Sequence, residues 1–119
     1  MSEAQAETEA PSIARELTAF QQNILAILAE EARYGLAVKR ELETYYSSDV
    51  NHGRLYPNLD DLVEMELVEK SELDKRTNEY SLTEKGYDVL LEQLSWEFSK
   101  IVQTEDRADD LEALLEDVR

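Results

Sequence analysis

The stretch Gly53-Arg54-Leu55-Tyr56-Pro57-Asn58-Leu59 and the later Lys75-Arg76-Thr77-Asn78 carry the side chains best suited to a polyanionic partner. A guanidinium presents a rigid fork of N–H donors that matches O6 and N7 of guanine, and a carboxamide pairs in the same way with N6 and N7 of adenine. Arg54 and Asn58 are spaced by about one helical turn, so one helix can carry both. Gly53 lets a backbone come close, His52 can donate to a phosphate or a base, and Asn51 is a further base or phosphate reader, with Tyr56 in the same DNA-facing set; a helix amino end itself favours an anion. Lys75 and Arg76 can neutralise phosphates or send Arg76 into a narrow minor groove, with Thr77 and Asn78 beside them; a solvated hairpin tip is the plain alternative. Other chemistry is thinly supplied. With one histidine, no cysteine, no glycine-rich phosphate loop and no His-Glu metal spacing, no catalytic residue, metal or cofactor is expected. The pairs Glu105-Asp106 and Asp109-Asp110 read as solvated faces rather than calcium ligands.

The elements that must position these residues follow from the apolar periods. Thr18 with Gln21 fits a capping box, and Phe20, Ile24, Ile27 and Leu28 give the next helix, to about Glu31, one apolar face. Tyr34-Gly35 punctuates the chain. Val38, Leu42 and Tyr45 then mark the buried side of a second helix, with Lys39, Arg40, Glu41 and Glu43 outside. Lys39 and Arg40 are candidates for flanking phosphate or simply a solvated face. Asn51 is the expected cap of a third helix, with Val50 and Leu55 stapled around it and Leu55, Leu59, Leu62 and Val63 inward. Gly53, Arg54, Pro57, Asp60 and Asp61 then fall opposite the core, with Tyr56 and Asn58 on the flanks. Pro57, which removes a backbone bond, shifts the expected regular start towards Arg54. Asp60 and Asp61 either lie beyond a bound duplex or hold a hydrated cation.

Leu67 to Leu73 and Asn78 to Leu82 read as the strands of a hairpin with Asp74 to Thr77 as its turn. Thr83 caps a last long helix in which Tyr87, Leu90, Leu91, Leu94, Phe98 and Ile101 recur by threes and fours. Such a seam wants a partner. Leu111, Leu114, Leu115 and Val118 mark a short terminal helix able to cross the same seam, and Trp96, off the stripe, widens it or packs on the amino-terminal segment. The fold expected is mainly α with a small β-hairpin: a winged helix-turn-helix with a long C-terminal dimerisation helix. Its parts are an acidic disordered stretch over 1–11, the winged domain over 12–83 and the dimerisation region over 84–119.

With 119 residues and 42% hydrophobic content, the chain supports one small domain plus a helix or two, completed by a second copy. Its net charge of −16 argues against nucleic acid, yet that charge is partitioned. Arg33 to Gly86 holds 8 of the 12 basic residues against 12 of the 28 acidic ones, so the flanks carry most of the excess. So many carboxylates resemble the surfaces of proteins from salt-accumulating cytoplasms, where salt ions gather at the acidic face and screening at about 3 Å in 1 M salt suppresses long-range repulsion. An acidic module that binds a protein partner at ordinary salt is the competing view. The longest apolar run, Ile24 to Ala29, is too short for a membrane span, and a cytoplasmic location is expected.

Taken together, Tyr34-Gly35, Gly53 to Leu59, Glu66-Leu67-Val68 and Tyr80-Ser81-Leu82-Thr83-Glu84-Lys85-Gly86 resemble the PadR family of winged-helix transcriptional regulators, of a haloarchaeal type, over about Thr18 to Ile101. The resemblance implies a homodimer built through the C-terminal helix and amino-terminal segment. It places two third helices in successive major grooves of double-stranded DNA, at a roughly palindromic operator with half-sites about 34–36 Å apart. It further implies a stress response with oxidation as input, which a chain without thiols cannot sense by cysteine chemistry. A winged helix used as a protein adaptor within transcription machinery is the alternative.

Overall fold

The computed structural model describes residues 16–74 and 77–119. The disordered stretch expected over 1–11, and Lys75 and Arg76, lie outside those residues. Among the described residues, five helices and three short strands follow one another: α1 (Ala19–Glu30), β1 (Arg33–Tyr34), α2 (Gly35–Tyr46), α3 (His52–Glu64), β2 (Val68–Glu72), β3 (Asn78–Leu82), α4 (Glu84–Ile101) and α5 (Glu105–Val118).

Local signals account for most boundaries. The Thr18 hydroxyl accepts from the Gln21 amide while Gln21 Oε1 accepts from the Thr18 amide, both at 3.1 Å, which closes the expected capping box of α1. Just past the Met65 cap of α3 comes Glu66 at φ 66°, where the Leu67 amide bonds the Leu62 carbonyl and the Glu66 amide bonds that of Val63. That left-handed wrap turns the chain and buries Leu67 against the helix it has just left. Thr83 caps α4 by accepting from the Gly86 amide at 3.0 Å and donates to the Glu66 carbonyl at 2.7 Å, so one hydroxyl ties the start of α4 to the end of α3. Gly86 is required there because a Cβ would collide with the Leu67 carbonyl oxygen.

The core is one cluster. Ile24 and Leu25 of α1, Val38 and Leu42 of α2, Leu55, Leu59 and Leu62 of α3, Val68 and Tyr80 of the sheet and Val89 of α4 are all essentially inaccessible. The sheet order is β1-β3-β2, antiparallel throughout, with Arg33 opposite Tyr80 and Lys70 opposite the same Tyr80 from the other side.

Four expectations need correction. The buried aromatic of α2 is Tyr46, packed on the core, whereas Tyr45 is 70% exposed. Both follow Leu42 at helical spacing, and Tyr46 is the one whose ring stacks on Phe20 of α1. Tyr34 belongs to a third strand rather than to punctuation alone. β2 stops at Glu72 and leaves Leu73 exposed in the turn. Finally, α3 begins at His52 in spite of Pro57.

Candidate nucleic-acid interface

The amino end of α3 stands open. Asn51 caps it, its Oδ1 accepting from the Arg54 amide at 2.8 Å and its carbonyl from the Leu55 amide at 3.1 Å. The first turn is therefore closed before Pro57 is reached. The bond that proline forfeits is to the Gly53 carbonyl alone, on the exposed side, which explains why the helix runs through it. Asn51, His52, Gly53, Arg54 and Pro57 are all exposed, while Leu55 and Leu59 behind them are fully buried. A Cβ on Gly53 would meet only Asn51 Oδ1, at an ordinary 3.5 Å, so this glycine faces open space. Tyr56 turns to the flank: its ring stacks on His52 at 5.5 Å, and its hydroxyl sits where a Cβ on Gly35 would come within 2.7 Å. Gly35 thereby admits α3 close against the start of α2.

The two polar side chains singled out for base recognition are held by the protein itself. The Arg54 guanidinium carbon lies over Phe20, 4.0 Å from the ring centroid, with the Tyr46 ring centroid 5.9 Å away. Asn58 donates to the Arg54 carbonyl at 2.7 Å and accepts from Gln21 Nε2 at 3.1 Å, so its carboxamide ties α3 to α1. Gln21 thus has two duties, closing its own helix cap with Oε1 and holding Asn58 with Nε2. Sequence reasoning found the first and missed the second, because the contact spans 37 positions.

The hairpin beside α3 is closed by Asp74, whose carboxylate accepts from the Thr77 amide at 2.9 Å, and by the Leu73 amide bonding the Thr77 carbonyl. Thr77 and Asn78, both half-buried, form the root of this wing and share a cleft with Tyr34, Leu36, Tyr56 and Tyr80. Burial, followed by the Asp60 carboxylate and Tyr56, pushes the Tyr80 phenol above its ordinary 10.0, so it stays protonated. Asp60 and Asp61 are exposed further along α3, beyond its first turns.

On α2, Lys39 is paired with Glu43 at 3.0 Å, and the same carboxylate oxygen accepts from the Val50 amide at 2.9 Å. The Val50 amide first, then Lys39, hold the Glu43 carboxyl below its ordinary 4.5. Lys39 is therefore part of the brace that fixes the turn into α3, whereas Arg40 beside it is exposed.

The apolar residues assigned to a partner divide. Leu90 packs on the core and Phe98 is half-buried, whereas Tyr87, Leu91, Leu94 and Ile101 are exposed, Tyr87 by 52%. Leu111 is half-buried, and Leu114, Leu115 and Val118 are exposed on α5, in which no described residue is buried. Trp96 is 57% exposed, with the Lys100 ammonium 5.7 Å above its ring. Among the described residues no group of three His, Asp or Glu is arranged to hold a metal, and no helix is long and apolar enough to cross a membrane.

Comparison with known proteins gives this arrangement its context. The model of the transcriptional regulator PadR-like family matches residues 24–92, more than half of the chain. RosR of Halobacterium salinarum, crystallised from NaBr, is 64% identical with a TM-score of 0.84, over 87% of this chain and 94% of that one. The hsRosR-S4 complex superposes with a TM-score of 0.87 at 64% identity, over 91% of this chain and 94% of that one. A PadR family regulator from Clostridium difficile R20291, at 21% identity and a TM-score of 0.56 over 70% of this chain and 92% of that one, shares the fold. No curated protein matches at a significant level. The chain belongs to the PadR-like family of transcriptional regulators, built on its winged-helix DNA-binding fold.

Proposed function

We propose that the chain is a homodimeric, sequence-specific regulator that occupies a roughly palindromic operator in double-stranded DNA and works at high salt in the cytoplasm. The observation that carries this reading is the open amino end of α3. Asn51, His52, Gly53 and Arg54 are exposed there on a helix whose opposite side is fully buried, with the wing root alongside. In this reading Arg54 meets a guanine edge, while His52 and the α3 amino end meet a phosphate. Lys75 and Arg76, which follow Asp74 in the sequence, neutralise phosphate, with Thr77 and Asn78 after them, and Arg40 touches the flank. Asn58 and Tyr56 chiefly hold α3 in place, given their internal contacts. The exposed faces of α4 and α5 supply the second copy, whose two-fold axis sets half-sites about 34–36 Å apart.

The net charge of −16 requires salt, because only a short screening length lets so anionic a body approach phosphate. Oxidative stress is the input we propose, as the resemblance set out from the sequence implies. Gel mobility shift at molar potassium chloride, with DNA from upstream of the gene, tests the reading. A discrete retarded species that random duplex does not compete away supports it. Capture of a protein of the transcription machinery, without any shift, supports the adaptor alternative.

A further inference from the structure

We infer that Phe20 and Tyr46 are positioning residues for operator recognition: they form an aromatic platform that orients the Arg54 guanidinium, without touching DNA themselves. This rests on the reading of α3 as the DNA-facing helix. In a chain with 28 carboxylates, the described arginines and lysines that are held in place are mostly held by acids: Arg33 by Glu30 and Glu41, Lys39 by Glu43, and Arg119 by Glu116. Arg54 is held differently. Among the described residues its side chain makes no ion pair and no hydrogen bond, and its contacts are ring faces, Phe20 at 4.0 Å and Tyr46 at 5.9 Å. A cation–π contact restrains where a guanidinium sits but spends none of its N–H donors on a carboxylate. A carboxylate partner would have used those donors. Ring faces leave the whole fork available.

The platform is itself fixed. Phe20 is 4% exposed and stacks on Tyr46 at 6.1 Å and 19°. The Tyr46 hydroxyl accepts from Asn23 Nδ2 at 2.9 Å, and Tyr45 meets its ring edge-on at 5.1 Å. The Gln21–Asn58 bond pins the adjoining turn of α3 to the same side of α1. Three helices thus converge on one cation. Bidentate pairing with a base tolerates little angular error, and a free arginine side chain would lose rotamer entropy on binding; a stacked one has already lost much of it. The predicted consequence is discrimination between sequences, not general affinity for duplex.

The test is a double-mutant cycle at molar potassium chloride, using a duplex selected by the wild-type protein from a randomised pool and a random duplex of equal length. Phe20→Leu and Tyr46→Leu each lower affinity for the selected duplex by about tenfold, or about 1.4 kcal/mol, and leave random duplex nearly unchanged. Tyr46→Phe, which keeps the ring and removes only the hydroxyl, retains discrimination. In an Arg54→Ala background the leucine substitutions have no further effect on the ratio. Should Phe20→Leu fail to give a cooperative melt, the half-buried Tyr46 carries the test alone. Equal losses on both duplexes, or a loss that persists without Arg54, overturn the platform. A wild-type protein with no sequence preference overturns the reading of α3 instead, so the two failures are distinct.

Discussion

Residues 17–89 and the helices beyond them handle apolar surface in opposite ways. In the first region the leucines of α3, the valine and tyrosine of the sheet and Val89 close a single core with almost no accessible surface. In the second, leucines of the same chemistry on α4 and α5 lie open, among them Leu91, Leu94, Leu114 and Leu115. One chain is sufficient to make a winged helix but leaves its C-terminal face unfinished. The contrast separates residues that specify the fold from residues that we propose meet a second copy of the chain.

That contrast can be broken by substitution. The largest expected effect is Leu59→Ala, which removes a fully buried side chain from the centre of the core and costs roughly 2–5 kcal/mol in thermal or denaturant melts. Leu94→Ala, on the open face, shifts the unfolding of a single chain by less than about 0.5 kcal/mol. If the chain is the proposed dimer, the pair Leu91→Glu with Leu94→Glu converts it to a monomer by light scattering and abolishes binding to the selected duplex, because the half-sites are no longer held together. If Leu94→Ala were as damaging as Leu59→Ala with no change in mass, the open face would be covered within the chain.

Gly53→Ala sharpens the comparison at α3. Alanine suits a helix better than glycine, and the added methyl meets nothing but Asn51 Oδ1 at 3.5 Å, so stability rises by up to about 1 kcal/mol. Duplex affinity is nonetheless expected to fall, because in the proposed reading the methyl stands where a DNA backbone approaches. A gain in both would remove the close approach from the account. The smallest effect concerns acid. Since the folded protein holds the Glu43 carboxyl below 4.5, this group contributes stability above that pH and loses it as pH falls through the folded value. In Glu43→Gln, melts between neutral and acidic pH should show a shallower decline on the acid side.

Much of this was legible from local spacing. The cap of α1 at Thr18, the Asn51 cap, the Leu55-Leu59-Leu62 stripe, β3 and the Thr83 cap all depend on neighbours a few residues apart, and all are present. What was hidden depends on distant partners. Tyr45 and Tyr46 are equivalent by periodicity until α1 brings Phe20 to one of them. Asn58 reads as a free base-pairing amide until Gln21 arrives from 37 positions away. Two-residue β1 carries too little pattern to register, and it exists because β3 offers an edge at Tyr80 and Glu79. Pro57 misled because the rule against proline in helices takes no account of which carbonyl is left unbonded or whether water can reach it.

The most direct measurement is the affinity of wild type, Arg54→Ala and Lys75→Ala for the selected and random duplexes, by fluorescence anisotropy at molar potassium chloride. Arg54→Ala is expected to weaken the selected duplex by about 1–3 kcal/mol while sparing the random one, and Lys75→Ala to weaken both alike. Equal losses on both duplexes for both variants would contradict it.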